Sequence, residues 1–432
     1  MSFNVSTHID IDAVMKAEPI KLSMGIKRLS SLFICLGALT FVVATFGGYP
    51  LELAWATYYQ NLVFFMGLSC GGVIIAAIVQ IVRAKWAPPV RRITEANVAF
   101  LPWAWMLFML TWFGKSYLFP WGGGQPMPGR EWWMQAGFVY VRFGLLLALL
   151  FFMMSRFVRL SLRSDIGVLR ENAATRPHWG DWIYQYLARG WQGSEKEIVE
   201  IQRKLSWNAP LLIVVYAVIY SLFSFELVMG MDKSWVSNLF GAFQFIGNIY
   251  LAWAMLGLLV VYFVGKSPVF ERCIGTQQLW DIGKLTFGFC MLWGYMFFSQ
   301  FLPQWYGNLP EETQWMIIRS RIYPWWGLGW ATFAACFIMP FILLLSEDLK
   351  RSPKALTKVL TLIFVGIWLE KYMIIMPQVS PTRIPTEFTE LVFQFFVTLG
   401  FLGAYLLSVH SFIAKYPCVP FSHPLSKGCG HW

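Results

Sequence analysis

The stretch Leu145-Leu-Leu-Ala-Leu-Leu-Phe-Phe-Met-Met-Ser-Arg-Phe-Val-Arg-Leu-Ser-Leu-Arg163 decides the reading of this chain. Ten apolar residues run without a charge, and three arginines follow within eight positions. The apolar run extends back to position 133 with a single charge, Arg142. A hydrocarbon layer of about 30 Å takes roughly 20 such residues to cross. Cations gathered just behind a run of that length mark the side on which a membrane helix stays anchored.

The same alternation recurs along the chain. Apolar stretches fall near 28–47, 57–82, 98–114, 133–156, 208–229, 236–264, 280–302, 323–345, 358–376 and 388–410. Hydrophobic residues make up 57%, charged residues 13%, and mean hydropathy is +0.54. Soluble domains carry about 25% charged residues. Backbone groups cannot stay unpaired in lipid, and these segments are too long for barrel strands. The fold class is therefore an all-α integral membrane protein of about ten transmembrane helices.

Lys and Arg are sorted between alternate gaps. The N-terminus, the gaps after the second, fourth, sixth and eighth helices, and the C-terminus hold 25 of the 34 basic residues. The opposite gaps hold 6, and Arg142, Lys284 and Lys371 fall inside helices. Basic loops stay in the cytoplasm, so both termini are expected there. The net charge of +11 follows from this sorting, so a nucleic-acid partner is not needed to explain it. The polar first 27 residues, with Asp10, Asp12, Lys16, Glu18 and Lys21, read as a cytoplasmic tail rather than a cleavable signal. Trp132–Trp133, Trp305–Tyr306 and Tyr323 with Trp325–Trp326 lie at expected helix ends, where such rings anchor helices at headgroup level.

The chain divides into a tail (1–27), four membrane helices (28–160), a cytoplasmic connector (161–207), six further helices (208–410) and a second tail (411–432). The connector contains Glu195-Lys-Glu-Ile-Val-Glu-Ile-Gln-Arg-Lys-Leu205, with Ile198, Val199, Ile201 and Leu205 at roughly helical spacing. It reads as an amphipathic surface helix or a docking site for a cytoplasmic partner. Asn61-Leu-Val-Phe and Asn238-Leu-Phe-Gly open matching stretches. They align helices two to five with six to nine as a duplicated four-helix unit.

Several chemistries are missing. None of the seven cysteines forms a haem-attachment or iron–sulfur run. Of five histidines only His410 lies in a membrane stretch, which excludes a bis-His haem. No phosphate loop, zincin motif or hydrolytic triad appears. Cys418, His423, Cys429 and His431 lie within 14 residues, but zinc sites prefer tighter pairs, so the C-terminus reads as an unstructured tail.

Intramembrane charges carry the functional signal, because an ionised group at a helix centre costs about 2.5–3.5 kcal/mol on insertion scales. Arg142 lies mid-helix, Glu226 and Glu370–Lys371 in the outer thirds of the fifth and ninth helices, and Glu390 at the outer end of the tenth. Asp281 and Lys284 share a face at the start of the seventh helix. That face continues through Gly288, Met291, Tyr295 and Ser299. The candidate proton file runs from Asp281 and Lys284 past Tyr295 and Ser299 to Glu226 and Glu370. The alternative is that these are static pairs fixing helix register. Glu370 and Lys371 are adjacent and about 100° apart, so at least one needs a partner on another helix. Trp305, Tyr306, Glu311 and Glu312 form a candidate docking patch for a soluble partner.

Two segments resemble a known family. Ser224-Phe-Glu-Leu-Val-Met-Gly-Met-Asp-Lys-Ser-Trp-Val-Ser-Asn-Leu-Phe-Gly241 is similar to the Ser-Phe-Asp-Trp-Val-Met-Ser-Leu-Asp-Pro-x-Trp-x-Ser-Thr-x-Phe-Gly signature of the ActF family. These are membrane subunits of quinol-oxidising alternative complex III. Phe298-Ser-Gln-Phe-Leu-Pro-Gln-Trp-Tyr-Gly-Asn-Leu-Pro-Glu-Glu-Thr313 resembles the family's Phe-Ser-Gln-Phe-x-x-x-Trp-Tyr-Ala-Asn-x-Pro-Glu-Glu. Phe46-Gly-Gly-Tyr49 and Arg91-Arg-Ile-Thr-Glu95 fit its early part, and the resemblance covers about 28–410. Glu226 stands for the family's Asp and Lys233 for its Pro, while Pro303 breaks an apolar stretch.

The resemblance implies the ten-helix NrfD or polysulfide-reductase membrane-subunit fold: two four-helix bundles plus flanking helices in a bacterial inner membrane. It implies no cofactor in this chain. The partners it implies are a paralogous quinol-binding membrane subunit, periplasmic subunits with c-type haems and iron–sulfur clusters, and lipids. The expected role is scaffolding and proton conduction. An NrfD-like subunit that oxidises quinol itself, between Arg142 and Glu226, is the second reading. A free-standing secondary transporter is the third; it calls for matched broken helices in both halves, which the sequence does not display.

Overall fold

The computed structural model describes residues 23–124, 129–171 and 182–424. Most of the expected N-terminal tail, up to Leu22, lies outside the described residues, as do Cys429 and His431. Among the described residues, ten helices are long and apolar enough to cross a membrane. They are α1 (Met24–Phe46), α2 (Leu51–Ile81), α3 (Pro88–Leu118), α4 (Ala136–Glu171), α5 (Ser194–Met231), α6 (Phe240–Val264), α7 (Thr276–Gly307), α8 (Trp325–Leu345), α9 (Pro353–Val379) and α10 (Phe388–Lys415). No strand occurs among the described residues. The protein is all-α and multi-pass, as the apolar pattern predicts.

α2 and α6 form the centre. Every residue of α2 from Leu53 to Ala77 is buried. The two helices approach closely because Gly67 and Gly71 face Asn248: a Cβ on Gly71 would collide with the Asn248 carbonyl oxygen. Small residues at such contacts let backbones meet, which is how membrane helices gain packing energy without a hydrophobic drive. α3, α4 and α5 close a first bundle around α2, and α7, α8 and α9 close a second around α6. α1 packs along α10 at one flank, where a Cβ on Gly37 would lie 2.7 Å from the Gly400 Cα.

Several boundaries differ from the sequence reading. α4 runs on to Glu171, and α5 begins at Ser194. Boundaries at 160 and 207 therefore cut through helices, and the amphipathic stretch 195–205 is the first part of α5 rather than a separate surface helix. Its polar face suits the region beyond the lipid, so one helix changes from amphipathic to apolar along its length. α7 passes through Pro303 to Gly307 without ending there. Asn61 sits about three turns inside α2, whereas Asn238 precedes α6. Trp133 and Trp325 turn inward instead of anchoring at the surface: Trp133 donates to Glu226, and Trp325 donates to the Ser380 and Pro381 carbonyls.

The C-terminal segment is also docked, up to residue 424. Cys418, Val419, Phe421 and His423 are buried. The Ser422 N–H donates to Asp165 Oδ1 at 2.9 Å, and its hydroxyl donates to the same oxygen at 2.5 Å. Tyr184 donates to the Lys415 carbonyl at 2.5 Å. Asp165 in turn pairs with Arg92, which also pairs with Glu95. A buried ion network supplies the partners that make this segment a strap rather than a free tail.

Candidate functional site

The ninth helix places a charge pair in the protein interior. Glu370 and Lys371 are 5% and 1% exposed. They diverge by about 100° around the helix, yet their side chains curl together, with Lys371 Nζ 3.0 Å from Glu370 Oε1. Each also reaches another helix. Trp293 Nε1 of α7 donates to Glu370 Oε2 at 3.1 Å, and Lys371 donates to Gln244 Oε1 of α6 at 2.6 Å. A buried pair survives desolvation only when its remaining donors and acceptors are satisfied in this manner.

A polar seam extends from this pair between the bundles. Asn248, one turn beyond Gln244, donates to the Tyr216 hydroxyl at 3.3 Å. Trp368 Nε1 donates to Asn61 Oδ1 at 3.1 Å. Gln60 Oε1, Ser69 Oγ, Tyr220 OH, Gln244 Nε2 and Asn248 Oδ1 are buried without a partner among the described residues. Buried polar atoms of this kind are the ones that ordered water satisfies.

On its other side Glu370 lines a cavity of about 260 Å³. Trp293 also lines it, and so does Gln304, about 16 Å further along α7 at 1.5 Å per residue. Arg321 and Trp330, both exposed, bring it to the surface. The two segments that carry the family resemblance meet here. Ser237 Oγ donates to Gln300 Oε1 at 3.2 Å, and Trp235 stacks on Trp315 with centroids 3.9 Å apart. Gln304 has both side-chain polar atoms unpartnered among the described residues, as is Trp235 Nε1. Arg319 braces the rim by donating to the carbonyls of Met373, Ile374 and Trp315 at 2.7, 3.0 and 2.8 Å. Burial pushes its guanidinium down to about 9, and Asp232 opposes that shift.

At the opposite end, Asp281 is buried and pairs with Lys284 at 2.7 Å. It lines a second cavity, of about 380 Å³, with Arg83, Lys85, Trp86 and Gln277. The expected file beyond it does not run inward. Gly288 has nothing within 4 Å of where a Cβ would be, and Met291 and Tyr295 are 42% and 63% exposed. Ser299 is half-buried. The stripe Gly288–Met291–Tyr295 therefore faces the surroundings of the chain, and the interior face of α7 carries Thr286, Cys290, Trp293, Gln300 and Gln304.

Glu226 lies apart from Glu370. It sits in a widened turn of α5, Ser224–Val228. It pairs with Arg142 of α4 and accepts from Trp133 Nε1 at 2.9 Å. Arg142 also lies 4.0 Å from the Trp133 ring. Arg142 and Glu226 thus pair directly, while Arg142 Nε is buried without a partner among the described residues. Each bundle has one carboxylate held by an indole N–H and a cation. In the docking patch, Trp305 and Tyr306 are exposed; Glu311 is exposed and Glu312 half-buried in the first turn of the helix Pro310–Ser320. Glu390 accepts from Arg383 at 2.6 Å and from the Glu387 N–H at 3.1 Å, capping α10.

Sequence reasoning alone does not find Trp293, Gln244, Gln304 and Arg319 as site residues. Tryptophan and glutamine carry no charge to flag them, and their positions on the inner faces of α7 and α6 are the only signal available. The chain matches no protein-family model and no curated protein.

Proposed function

We propose that this chain is a cofactor-free membrane subunit of a quinol-oxidising complex of the alternative complex III kind. It scaffolds a paralogous membrane subunit and periplasmic haem c and iron–sulfur subunits in a bacterial inner membrane, with both termini cytoplasmic. It also handles protons through its second bundle, with Glu370 and Lys371 as the exchanging pair. The observation that supports this reading is the meeting of the two family-like segments at one cavity with Glu370 in its wall. A charge pair at membrane depth is expensive and tends to have a task. The proton route follows the inner face of α7, from Asp281 past Thr286 and Cys290 to Trp293 and Glu370, about 18 Å along the axis. Water would have to bridge these positions, because the Thr286 hydroxyl and the Cys290 thiol donate to backbone carbonyls and the Trp293 indole does not relay protons.

The test of the assembly is purification in mild detergent. Haem c and iron–sulfur subunits should co-isolate, and a chain recovered alone and active in substrate transport would favour a transporter. Charge reversal at Glu311 and Glu312 should loosen the complex in native gels.

One observation favours the second reading, that quinol binds in this chain. The Gln304 amide and Trp235 indole N–H, unpartnered among the described residues, belong to residues that line the same cavity as Glu370. Ligand sites of this sort are mostly apolar with a few convergent polar groups. Gln304→Leu should leave quinol turnover unchanged under the first reading and lower it under the second.

A further inference from the structure

The helix Pro310–Ser320 lies across the surface end of the cavity that Glu370 lines. Trp315, Met316, Arg319 and Ser320 of this helix form that part of the wall. A surface helix ordinarily keeps its place through a buried apolar stripe. Here Arg319, 7% exposed, is the one buried residue, and Met316, Ile317 and Ile318 are only half-buried. Besides its packing on the start of α8, the helix is held by two devices. One is the stack of Trp315 on Trp235, and the other is the set of bonds from Arg319 to carbonyls.

Two of those bonds leave the helix and end on α9, about one turn beyond Glu370 and Lys371. Nε donates to the Met373 carbonyl at 2.7 Å, and Nη2 donates to the Ile374 carbonyl at 3.0 Å. The Met373 carbonyl is open to Arg319 for a reason written in the sequence. It stands four residues before Pro377, which lies inside α9 and has no N–H to offer it. A carbonyl freed in this way at membrane depth needs a donor from elsewhere. Arg319 supplies that donor from a separate helix.

The other end of the helix has room to turn. Asn308 leads the chain out of α7 at φ +44°, and a Cβ on Gly307 would meet nothing within 4 Å. Beneath the helix lies Gln304, 6% exposed, with both polar atoms unpartnered among the described residues. Such atoms are the ones that entering water satisfies.

We propose that the helix Pro310–Ser320 is a lid hinged at Gly307–Asn308, and that Arg319 is its latch on the carbonyl that Pro377 leaves free. Release of the latch admits water and small solutes from the surface to Gln304 and on toward Glu370. The lid works in the same way whether the cavity serves protons or quinol, so it rests on neither reading.

The experiment is the rate at which a small methanethiosulfonate reagent modifies Gln304→Cys in the complete protein, purified in mild detergent and read by peptide mass spectrometry. With the lid latched the reaction should be slow. Adding Arg319→Gln should speed it at least tenfold, and Arg319→Lys should speed it less, because an ammonium still reaches a carbonyl. Pro377→Ala gives Met373 its helical partner back, which weakens the latch without weakening α9, and should speed the reaction too. Arg321→Gln removes an exposed cation at the mouth and should leave the rate unchanged. Cys290 and Cys336, both 0% exposed, report unfolding in the same digest. Where they react faster in Arg319→Gln, that variant has unfolded and Pro377→Ala decides. An unchanged rate in Pro377→Ala, or in a folded Arg319→Gln, overturns the proposal. An equal rise in Arg321→Gln assigns the effect to lost charge and overturns it too.

Discussion

Trp293 Nε1 lies 3.1 Å from Glu370 Oε2, and this contact ties α7 to α9 beside Lys371. The indole bond survives replacement of the carboxylate by an amide, but the charge balance does not. Glu370→Gln should leave Lys371 buried without its counter-ion and cost on the order of 3 kcal/mol. Charge translocation in proteoliposomes should fall while quinol oxidation in detergent persists. Glu370→Gln/Lys371→Met should regain stability in thermal unfolding without regaining translocation. Full translocation in the single variant would make the pair structural.

Topology is checked by labelling with a membrane-impermeant maleimide. A cysteine at Glu311 should react from outside and one at Glu195 should not, because Lys and Arg crowd the side that carries the start of α5. The opposite pattern would invert the orientation.

The strap should be sensitive to acid. Burial, then Arg91 and Arg92, hold the His423 imidazole down at about 3, below its usual 6.5. The folded form thus stays neutral where the released form takes up a proton. Stability from this group is complete above about 6.5 and is lost as pH falls toward 3, at up to about 1.4 kcal/mol per pH unit. Proteolysis of the C-terminal segment should rise below about pH 6, and His423→Gln should flatten that rise. A pH-independent cleavage rate in the parent chain would refute this account.

Two glycines on different faces give a paired test of packing. Gly71→Ala drives a methyl into the Asn248 carbonyl oxygen and should cost about 1–3 kcal/mol in unfolding. Gly288→Ala meets nothing within 4 Å and should be neutral or slightly stabilising, since Ala is the better helix former. Similar effects from both would remove α2 and α6 as the rigid centre.

The ten spans are legible in the sequence because lipid demands long apolar runs and tolerates few charges inside them. Glu370 and Lys371 stand out for the same reason. The inward face of α7 is not legible, because a helix between lipid and protein is apolar on both sides. Its visible polar stripe, from Lys284 to Tyr295, faces outward. The residues that do reach Glu370 and Lys371 are Trp293 and Gln244, and their meeting involves three helices and no local rule. The docking of the strap is hidden for a related reason. Its partners Asp165 and Gln80 stand 257 and 343 residues from Ser422 and His423 along the chain.

α2 touches protein along nearly all its length, yet it is made well before several of the helices that cover it. Its neighbours α9 and α10 follow only after six further helices. Until then the Gln60–Asn61 pair lacks its partner Trp368 of α9, and before that the Gly67–Gly71 face has to wait for Asn248 of α6. Chains that stop before α9 should remain bound to the insertion machinery or be degraded, and quality control can use this exposed centre as its sign of an unfinished protein.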